Sequence, residues 1–267
     1  MCRLLGVVSA RPRPLTTLLR EDLEPFTALS SHHCDGWGLA YRDRRDALQV
    51  RKAPEPAHSS PGYGAALAEA DTDAALVHLR KASPGMVNET VNTHPFTAPT
   101  GGGPTVAFAH NGWASDTPAL DEMLAAAGGP PCAGSTDSER YFGLVVAALR
   151  EAPPELALAT VGDRIHRAMR TEALNCLLLT DDSLYAYTSY DPDRQTTSGD
   201  DPADAYQLRF RMGGGGVVVA SGGWAADASD APEWEQLPNG QVLQIHRGDL
   251  HLSIHRGLPV PGAAATA

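Results

Sequence analysis

The order of the short apolar segments constrains the fold of this chain more than any other feature of its sequence. Segments in which apolar residues alternate with polar ones, or run together briefly, cluster before Gly112 and return after Asn175. Such segments are typical of β-strands. They predict strands over residues 4–8, 36–42, 48–52, 75–81, 105–110, 176–180, 184–190 and 217–221, and a hairpin of 242–246 with 250–255 that turns at Gly248-Asp249.

Two longer helices are predicted between these groups of strands. Helical spacing places apolar residues on one face at two places, which are Phe142, Val145, Val146 and Leu149, and then Leu158, Val161, Ile165 and Met169. The pattern Thr136-x-x-Glu139 is a capping box for the first helix. Shorter helices are predicted near residues 15–22, 64–70 and 118–126.

This order of elements indicates an α+β fold in which helices pack as layers against antiparallel sheets. A parallel sheet would require strict alternation of strands and helices, which is not seen. Residues 101–104, 128–131 and 198–204 have the composition of surface loops, and the glycines at 213–216 allow a bend or a close approach of the backbone. We expect one domain over residues 2–256, followed by a flexible tail at 257–267.

Charge and hydropathy exclude several functional classes. The chain has 21 Lys+Arg against 32 Asp+Glu, a formal charge of −11, and no short basic run, which disfavours nucleic-acid binding. Uninterrupted apolar stretches such as 144–149 are far shorter than the roughly 20 residues needed to cross a bilayer. Residues 1–12 lack the basic start and apolar core of a secretory signal. We therefore expect no membrane span and a cytoplasmic location.

The cysteines predict neither a disulfide framework nor a metal site. Cys2, Cys34, Cys132 and Cys176 are widely spaced and form no Cys-x-x-Cys pair. The run from His32 to Asp35 contains zinc-ligand types, but adjacent residues rarely converge on one ion. No phosphate-binding loop with its lysine is present, so we expect no metal and no cofactor.

Cys2 stands out by its position. If Met1 is removed, one residue carries a thiol and a free α-amine, whose pKa of about 7.7–8.0 makes it a base near neutral pH. Nucleophile and base are then preassembled. Position alone still favours a buried, inert cysteine at the start of a strand.

Six motifs change that weighting, because they occur in one order over residues 2–145. They are Met1-Cys2-Arg3-Leu4-Leu5-Gly6, Asp35-Gly36-Trp37-Gly38, Leu79-Arg80-Lys81-Ala82-Ser83, Asn92-Thr93-His94-Pro95-Phe96, His110-Asn111-Gly112 and Thr136-Asp137-Ser138-Glu139. No single motif is specific. The ordered series resembles the class II glutamine amidotransferases, which are N-terminal-nucleophile hydrolases, with weaker agreement beyond residue 145.

The resemblance implies a four-layer αββα sandwich and a glutaminase that acts on a small γ-glutamyl substrate. In this scheme the Cys2 thiolate attacks a γ-carboxamide to give a γ-glutamyl thioester and release ammonia. The Asn111 side-chain amide and the Gly112 backbone N–H would hold the oxyanion. Taken alone, Asn-Gly after a strand more often marks a type I′ turn.

The same resemblance assigns residues that recognise the substrate. The Arg80 guanidinium would pair with the α-carboxylate in a two-pronged contact, although without that context a surface salt bridge is as good an interpretation. Asp137 would accept hydrogen bonds from the α-ammonium, and it also lies in a first helical turn, where a carboxylate is favoured. His94 and His110 are interpreted as pocket-lining or structural residues, not as the general base.

One block departs from the pattern of synthase-linked members, which tend to have Arg-Trp-Ala-Thr-His-Gly where this chain has Arg-Lys-Ala-Ser-Pro-Gly-Met from Arg80. This variant looks like the short branch that includes the γ-glutamyl hydrolase of ergothioneine biosynthesis, which acts on a γ-glutamyl thiol-histidine intermediate. The leaving group therefore stays open. Lys81, Pro84, Trp113 and Trp224 are candidates for the far side of the pocket.

Several functional alternatives also stay open. The chain could act as a standalone hydrolase, or as a subunit that passes ammonia or an amine to a synthase partner or a small acceptor. A non-catalytic amino-acid-binding regulator would keep the Arg80/Asp137 pocket and retain Met1. A cysteine peptidase or acylase would use the same nucleophile without needing Arg80 and Asp137 together. A homodimer is compatible with each of these.

Overall fold

The computed structural model describes residues 1–83, 85–193, 205–221 and 234–256. Its strands are β1 (Arg3–Pro14), β2 (Gly36–Arg42), β3 (Leu48–Ala53), β4 (Asp71–Arg80), β5 (Phe96–Pro99), β6 (Thr105–Ala114), β7 (Thr171–Leu179), β8 (Ser183–Tyr187), β9 (Leu208–Gly213), β10 (Gly216–Ser221), β11 (Glu235–Gln236), β12 (Gln241–His246) and β13 (Leu252–Arg256). Its α-helices are α1 (Leu15–Leu18), α2 (Arg20–Ala28), α3 (Pro61–Glu69), α4 (Thr117–Ala126), α5 (Asp137–Ala148) and α6 (Pro154–Ala168).

The strands form two antiparallel sheets. The first has the order β11-β9-β10-β1-β4-β2-β3, and the second has the order β13-β12-β8-β7-β6-β5. An apolar layer that includes Leu4, Leu76, Leu177 and Leu243 lies between the sheets. The sheets are therefore stacked face to face, with side chains of both inner faces forming one core.

Helices cover the two outer faces. Phe26 of α2 and Leu67 of α3 pack on the outer side of the first sheet, and Val145 of α5 and Leu158 of α6 pack on the outer side of the second. The layers run helix, sheet, sheet, helix. The predicted α+β, four-layer αββα architecture is confirmed.

The turn interpretation of Asn111-Gly112 is wrong. β6 continues through both residues to Ala114, and Asn111 pairs with Asn175 of β7 while Gly112 pairs with Leu174. Pairing with β7 keeps the backbone extended at these residues. Tertiary pairing thus overrides the local preference for a turn.

The glycine run at 213–216 makes the two-residue turn between β9 and β10. Gly213 pairs with Gly216, and Gly214 and Gly215 have φ angles of 62° and 83°. A type I′ turn needs positive φ at both central residues, which glycine adopts without steric cost. The turn therefore explains why glycines occur at these positions.

Other boundaries differ from the expected ones for identifiable reasons. Instead of one helix at 15–22, α1 and α2 are separated at Leu19, and α2 runs on through Pro25. β5, β9 and β11 were not predicted, although the alternation of Arg209 and Arg211 with the apolar residues of β9 is itself a strand pattern. The side chain of Arg211 is buried because it pairs with Asp22, at 2.6 Å.

Two predicted regions fall outside the described residues, the loop at 198–204 and the tail at 257–267. The single-domain boundaries of 2–256 stay a prediction. Within the ranges that the structure describes, no helix combines the length and the apolar character that a membrane crossing requires.

Replacing Gly38 by alanine is expected to destabilise the protein. A Cβ at Gly38 would lie 1.9 Å from the His94 carbonyl oxygen, so β2 and the backbone at His94-Pro95 would have to separate. We expect a loss of about 1–3 kcal/mol or more in the free energy of unfolding. Urea denaturation of both proteins measures this difference.

Gly64→Ala is the matched control. A Cβ there meets no atom within 4 Å, and Gly64 lies inside α3. Alanine is the better helix former, so this variant should be as stable as the original or more stable by up to about 1 kcal/mol. Equal stability of the Gly38→Ala protein and the original would contradict the close packing described above.

Candidate active site

The six residues singled out in the sequence converge at one end of the stacked sheets. Cys2, Arg80, His94, Gly112 and Asp137 line one pocket of about 90 Å³. Asn111 lies directly behind Cys2 and is hydrogen bonded to it. These residues are far apart in sequence but meet because the start of β1, the end of β4 and the end of β6 lie at the same end of the sheets.

Cys2 is buried immediately before β1. Its backbone N–H donates to Asn111 Oδ1 at 3.0 Å, and its Sγ lies 3.7 Å from the carbonyl oxygen of Lys81. Burial raises the pKa of the Cys2 thiol, and the nearby N-terminal and Arg80 charges oppose that effect. The thiol is therefore protonated in the resting site and needs a base beside it to react.

Asn111 and Gly112 are held inside β6. Asn111 Nδ2 donates to the Ala205 carbonyl at 3.1 Å, and a primary amide nitrogen carries a second N–H that this bond does not use. At Gly112, a Cβ would lie 1.9 Å from the Ala173 carbonyl oxygen. The glycine is required by the close approach of β7.

Arg80 ends β4, and its side chain is buried with only 3% exposure. Its guanidinium donates to the Asp35 carbonyl at 3.3 Å and to Asn88 Oδ1. Among the described residues no carboxylate lies within 4.0 Å of it. The surface salt-bridge interpretation is therefore wrong, and this buried positive charge at the pocket wall is suited to an anionic ligand.

Asp137 is the first residue of α5, so both roles weighed for it are structurally compatible. Its Oδ2 accepts from the Ala114 N–H at 2.8 Å, which fixes the carboxylate between the end of β6 and the pocket. Thr136 caps α5 by accepting from the Glu139 N–H at 3.2 Å. The reciprocal half of the capping box is absent, because Glu139 binds the backbone N–H groups of Ala133 and Gly134, each at 2.8 Å.

His94 lies in a cluster of three buried histidines. Its ring centroid is 4.2 Å from that of His78 and 6.5 Å from that of His110. Burial lowers the pKa of His78 to about 3 and lowers the pKa of His94 well below its usual value. His110 bonds Ser138 Oγ at 2.9 Å and the Ala173 carbonyl at 3.2 Å. These neutral rings line or support the pocket, and none is placed as a base for Cys2.

Some pocket residues were not predicted from the sequence. Asn92 lines the pocket and holds the Ser135 N–H through Oδ1 at 2.9 Å, while Met86 and Thr117 complete the wall. The sequence signal for Asn92 is its place as the first residue of the motif that contains His94. Of the far-side candidates, Lys81 and Trp113 line the pocket, and Pro84 and Trp224 lie outside the described residues.

The run from His32 to Asp35 does not form a ligand set. His33 Nδ1 lies 2.8 Å from the Met1 carbonyl, and Asp35 Oδ2 accepts from the Ala82 N–H at 2.8 Å. Their side chains therefore have separate partners. Over the described ranges, no three His, Cys, Asp or Glu side chains are arranged to hold a metal ion.

The buried histidines predict a specific loss of stability in acid. The folded pKa of His78, about 3, is below the roughly 6.5 of an unfolded histidine. The unfolded chain therefore binds more protons between these values, and the free energy of unfolding falls as pH drops through this window. His78→Gln removes one such group and keeps a donor for the His110 carbonyl. Its stability should depend less on pH between 6 and 4, by up to about 1.4 kcal/mol per pH unit.

Urea denaturation at several pH values measures these slopes. His251→Gln, at an exposed position, is the control and should keep the slope of the unmodified protein. If His78→Gln also keeps that slope, His78 is not buried as a neutral group.

Solved structures share this architecture at low sequence identity. A B. subtilis glutamine phosphoribosylpyrophosphate amidotransferase, complexed with ADP and GMP, matches with a TM-score of 0.69 and 18% identity over 97% of this chain and 50% of that one. A glutamine aminotransferase class-II domain protein from Silicibacter pomeroyi matches with a TM-score of 0.67 and 21% identity, covering 97% of this chain and 100% of that chain. At these identities the likeness shows the fold.

Sequence comparison shows the family. A Haemophilus influenzae protein that is assigned by name to the glutamine amidotransferases is 31% identical over 144 residues, which are 53% of this chain and 46% of that protein. The match thus spans about half of that relative. The family model of the class-II glutamine amidotransferases matches residues 1–265, and the chain belongs to this family.

Proposed function

We propose that this protein hydrolyses a γ-glutamyl amide through Cys2 once Met1 has been removed. The observation that carries the proposal is the single pocket in which the Cys2 thiol, the Arg80 guanidinium and the Asp137 carboxylate meet. These groups match a nucleophile for the amide and two opposite charges for the amino-acid end of the substrate.

The first half-reaction forms a thioester. The α-amine of Cys2 takes the thiol proton, and the thiolate attacks the γ-carboxamide carbon to form a C–S bond. The free Nδ2–H of Asn111 and the Gly112 N–H stabilise the oxyanion, each donor contributing about 3–4 kcal/mol. When the intermediate collapses, the C–N bond breaks, and the α-ammonium returns its proton to the departing amine.

The second half-reaction releases glutamate. The α-amine removes a proton from water, which attacks the thioester carbon, and the C–S bond breaks. The thiolate recovers the proton from the α-ammonium. The neighbouring amine matters because burial raises the pKa of the thiol, so a thiolate forms only as an ion pair with the ammonium beside it.

Two fixed charges would orient the substrate. Arg80 is buried, lacks a carboxylate within 4.0 Å among the described residues and can hold the α-carboxylate with two parallel hydrogen bonds. Asp137 keeps one oxygen on Ala114 and can accept from the α-ammonium with the other. A pocket in which the buried Arg80 guanidinium and the Asp137 carboxylate occur together favours an amino-acid zwitterion over a peptide or acyl chain. The peptidase and acylase alternatives therefore rank lower.

The leaving group is assigned here only as ammonia or an amine. Lys81 stands where synthase-linked members tend to have tryptophan, and its Nζ is turned to the His32 carbonyl, at 2.8 Å. The difference in residue type, and not this contact, supports the hydrolase of a substituted γ-glutamyl compound, as in ergothioneine biosynthesis, as the second candidate. Transfer to a synthase partner, a homodimer and the cytoplasmic location remain predictions.

Cys2→Ala should abolish hydrolysis. Without the thiol no thioester forms, so turnover of glutamine or of a bulkier γ-glutamyl amide should fall by at least about 10³-fold. Ammonia release measures the first reaction, and glutamate release measures both. Cys132→Ala is the control, since Cys132 lies outside this pocket, and it should keep full activity.

The same preparation tests the alternative of a non-catalytic binder. The intact mass of an active sample should lack one methionine. Retention of Met1 on all molecules, together with glutamine binding and no turnover, would favour a regulator and contradict the proposal.

Arg80→Lys should weaken recognition of the α-carboxylate and not the chemistry. Lysine keeps the charge but cannot form two parallel hydrogen bonds, so kcat/KM for glutamine should fall roughly 10- to 100-fold. Turnover of 4-aminobutyramide, which lacks the carboxylate, should be equally slow in both proteins.

Asp137→Asn should show the complementary pattern. It should lose activity on glutamine and not on glutaramate, which lacks the α-ammonium. Equal losses on full and truncated substrates would mean that these residues support the fold and do not bind the substrate.

A further inference from the structure

The side-chain amide of Asn111 can occupy the same space in two orientations, which exchange the acceptor Oδ1 with the donor Nδ2. In the structure its Oδ1 accepts from the Cys2 nitrogen at 3.0 Å. Rotation of the amide by half a turn would aim an N–H at that nitrogen. Once Met1 is removed and this nitrogen becomes the α-amine, an N–H donor there would occupy the lone pair that the amine needs to take the thiol proton. Only one orientation is therefore compatible with an N-terminal base.

The Ala205 carbonyl selects that orientation. Its oxygen accepts from Asn111 Nδ2 at 3.1 Å, and both residues are fully buried. After rotation, Oδ1 would face this carbonyl, and two buried acceptors would oppose each other without a proton between them. Arg3 supports the same oxygen, because its Nη1 lies 3.5 Å from Ala205 O and 3.0 Å from Cys2 O.

Asn175 holds the next carbonyl along the chain. It lies directly opposite Asn111 in the pairing of β6 with β7. Its Nδ2 donates to the Tyr206 carbonyl, and its Oδ1 accepts from the Ser189 N–H at 2.6 Å. Two adjacent asparagines thus bind two consecutive carbonyls, those of Ala205 and Tyr206.

The Tyr206 side chain fixes these carbonyls from the other side. Its hydroxyl donates to Glu172 Oε2 at 2.8 Å, and its ring packs in a buried cluster with Ala173 and Tyr190. Burial and the Glu172 charge raise the pKa of Tyr206, so the hydroxyl keeps its proton and remains a donor. The phenol thereby ties residues 205–206 to the start of β7.

We propose that Tyr206 is a positioning residue for catalysis, acting through the Ala205 carbonyl to hold the Asn111 amide with its oxygen towards Cys2. This inference rests on the proposed function. The chain of contacts runs from Glu172 to the Tyr206 hydroxyl, through the backbone to the Ala205 carbonyl, and then to Asn111 and Cys2. Glu172, Ala205 and Tyr206 do not line the pocket, so Tyr206 acts through other groups.

A double-mutant cycle tests this inference. Tyr206→Phe keeps the ring and removes the hydroxyl, and kcat for γ-glutamyl amide hydrolysis should fall roughly 10- to 100-fold. KM should change by less than about threefold, because Arg80 and Asp137 are untouched. In an Asn111→Ala background the same substitution should have almost no effect, since no amide is left to orient. Tyr185→Phe, which removes a buried hydroxyl bonded to Gln244, is the control and should leave kcat unchanged.

Equal losses from Tyr206→Phe in both backgrounds would overturn the proposal, because a general structural defect acts without Asn111. Hydrogen exchange of the Asn111 side-chain amide, assigned by its missing signal in Asn111→Ala, gives a readout that needs no turnover. Exchange should be slow in the unmodified protein and at least about tenfold faster in Tyr206→Phe. Unchanged protection overturns the positioning role. If the unmodified protein hydrolyses no γ-glutamyl amide, the proposed function fails, while the exchange result still decides the role of Tyr206.

Discussion

The apolar layer between the two sheets is the constraint on which the site depends. Leu4 and Val8 of β1 face this layer, whereas Leu5 and Val7 face the outer helices. Gly6 fits between them, because a Cβ there would lie 2.7 Å from Leu184 of the opposite sheet. A shift of β1 by one residue would exchange its two faces, so burial fixes the register and with it the position of Cys2.

Stacking of the sheets then brings the candidate site residues together. Cys2 and Arg80 come from the first sheet, and Asn111 and Gly112 come from the second. The hydrogen bond from Cys2 to Asn111 crosses between them. Burial lowers the pKa values of His78 and His94, so the charged side chains that line the pocket are those of Arg80, Lys81 and Asp137. In the proposed function, Arg80 and Asp137 bind the zwitterionic end of the substrate and leave the carboxamide free to meet the thiol.

The α+β fold class could be predicted from the sequence, because strand alternation is a local signal. The six residues implied by the ordered motifs lie together in the structure, although their roles stay a prediction. What could not be predicted depends on contacts between distant segments. Asn111-Gly112 has the sequence of a turn, and only the pairing with β7 keeps it extended. Arginine is usually exposed to solvent, and only the packing shows that Arg80 is buried. Asn175 and Tyr206 belong to no motif, and their role emerges from hydrogen bonds to the segment that contacts Asn111.

In the proposed function, the thiol of Cys2 attacks the γ-carbonyl on a chain freed of Met1. Labelling of the active protein with an electrophilic glutamine analogue, followed by peptide mass analysis, tests it most directly. One modification is expected, on an N-terminal peptide that begins with Cys2, together with protection of that thiol by glutamine. Modification of Cys34, Cys132 or Cys176 instead, or full activity in protein that retains Met1, would contradict it.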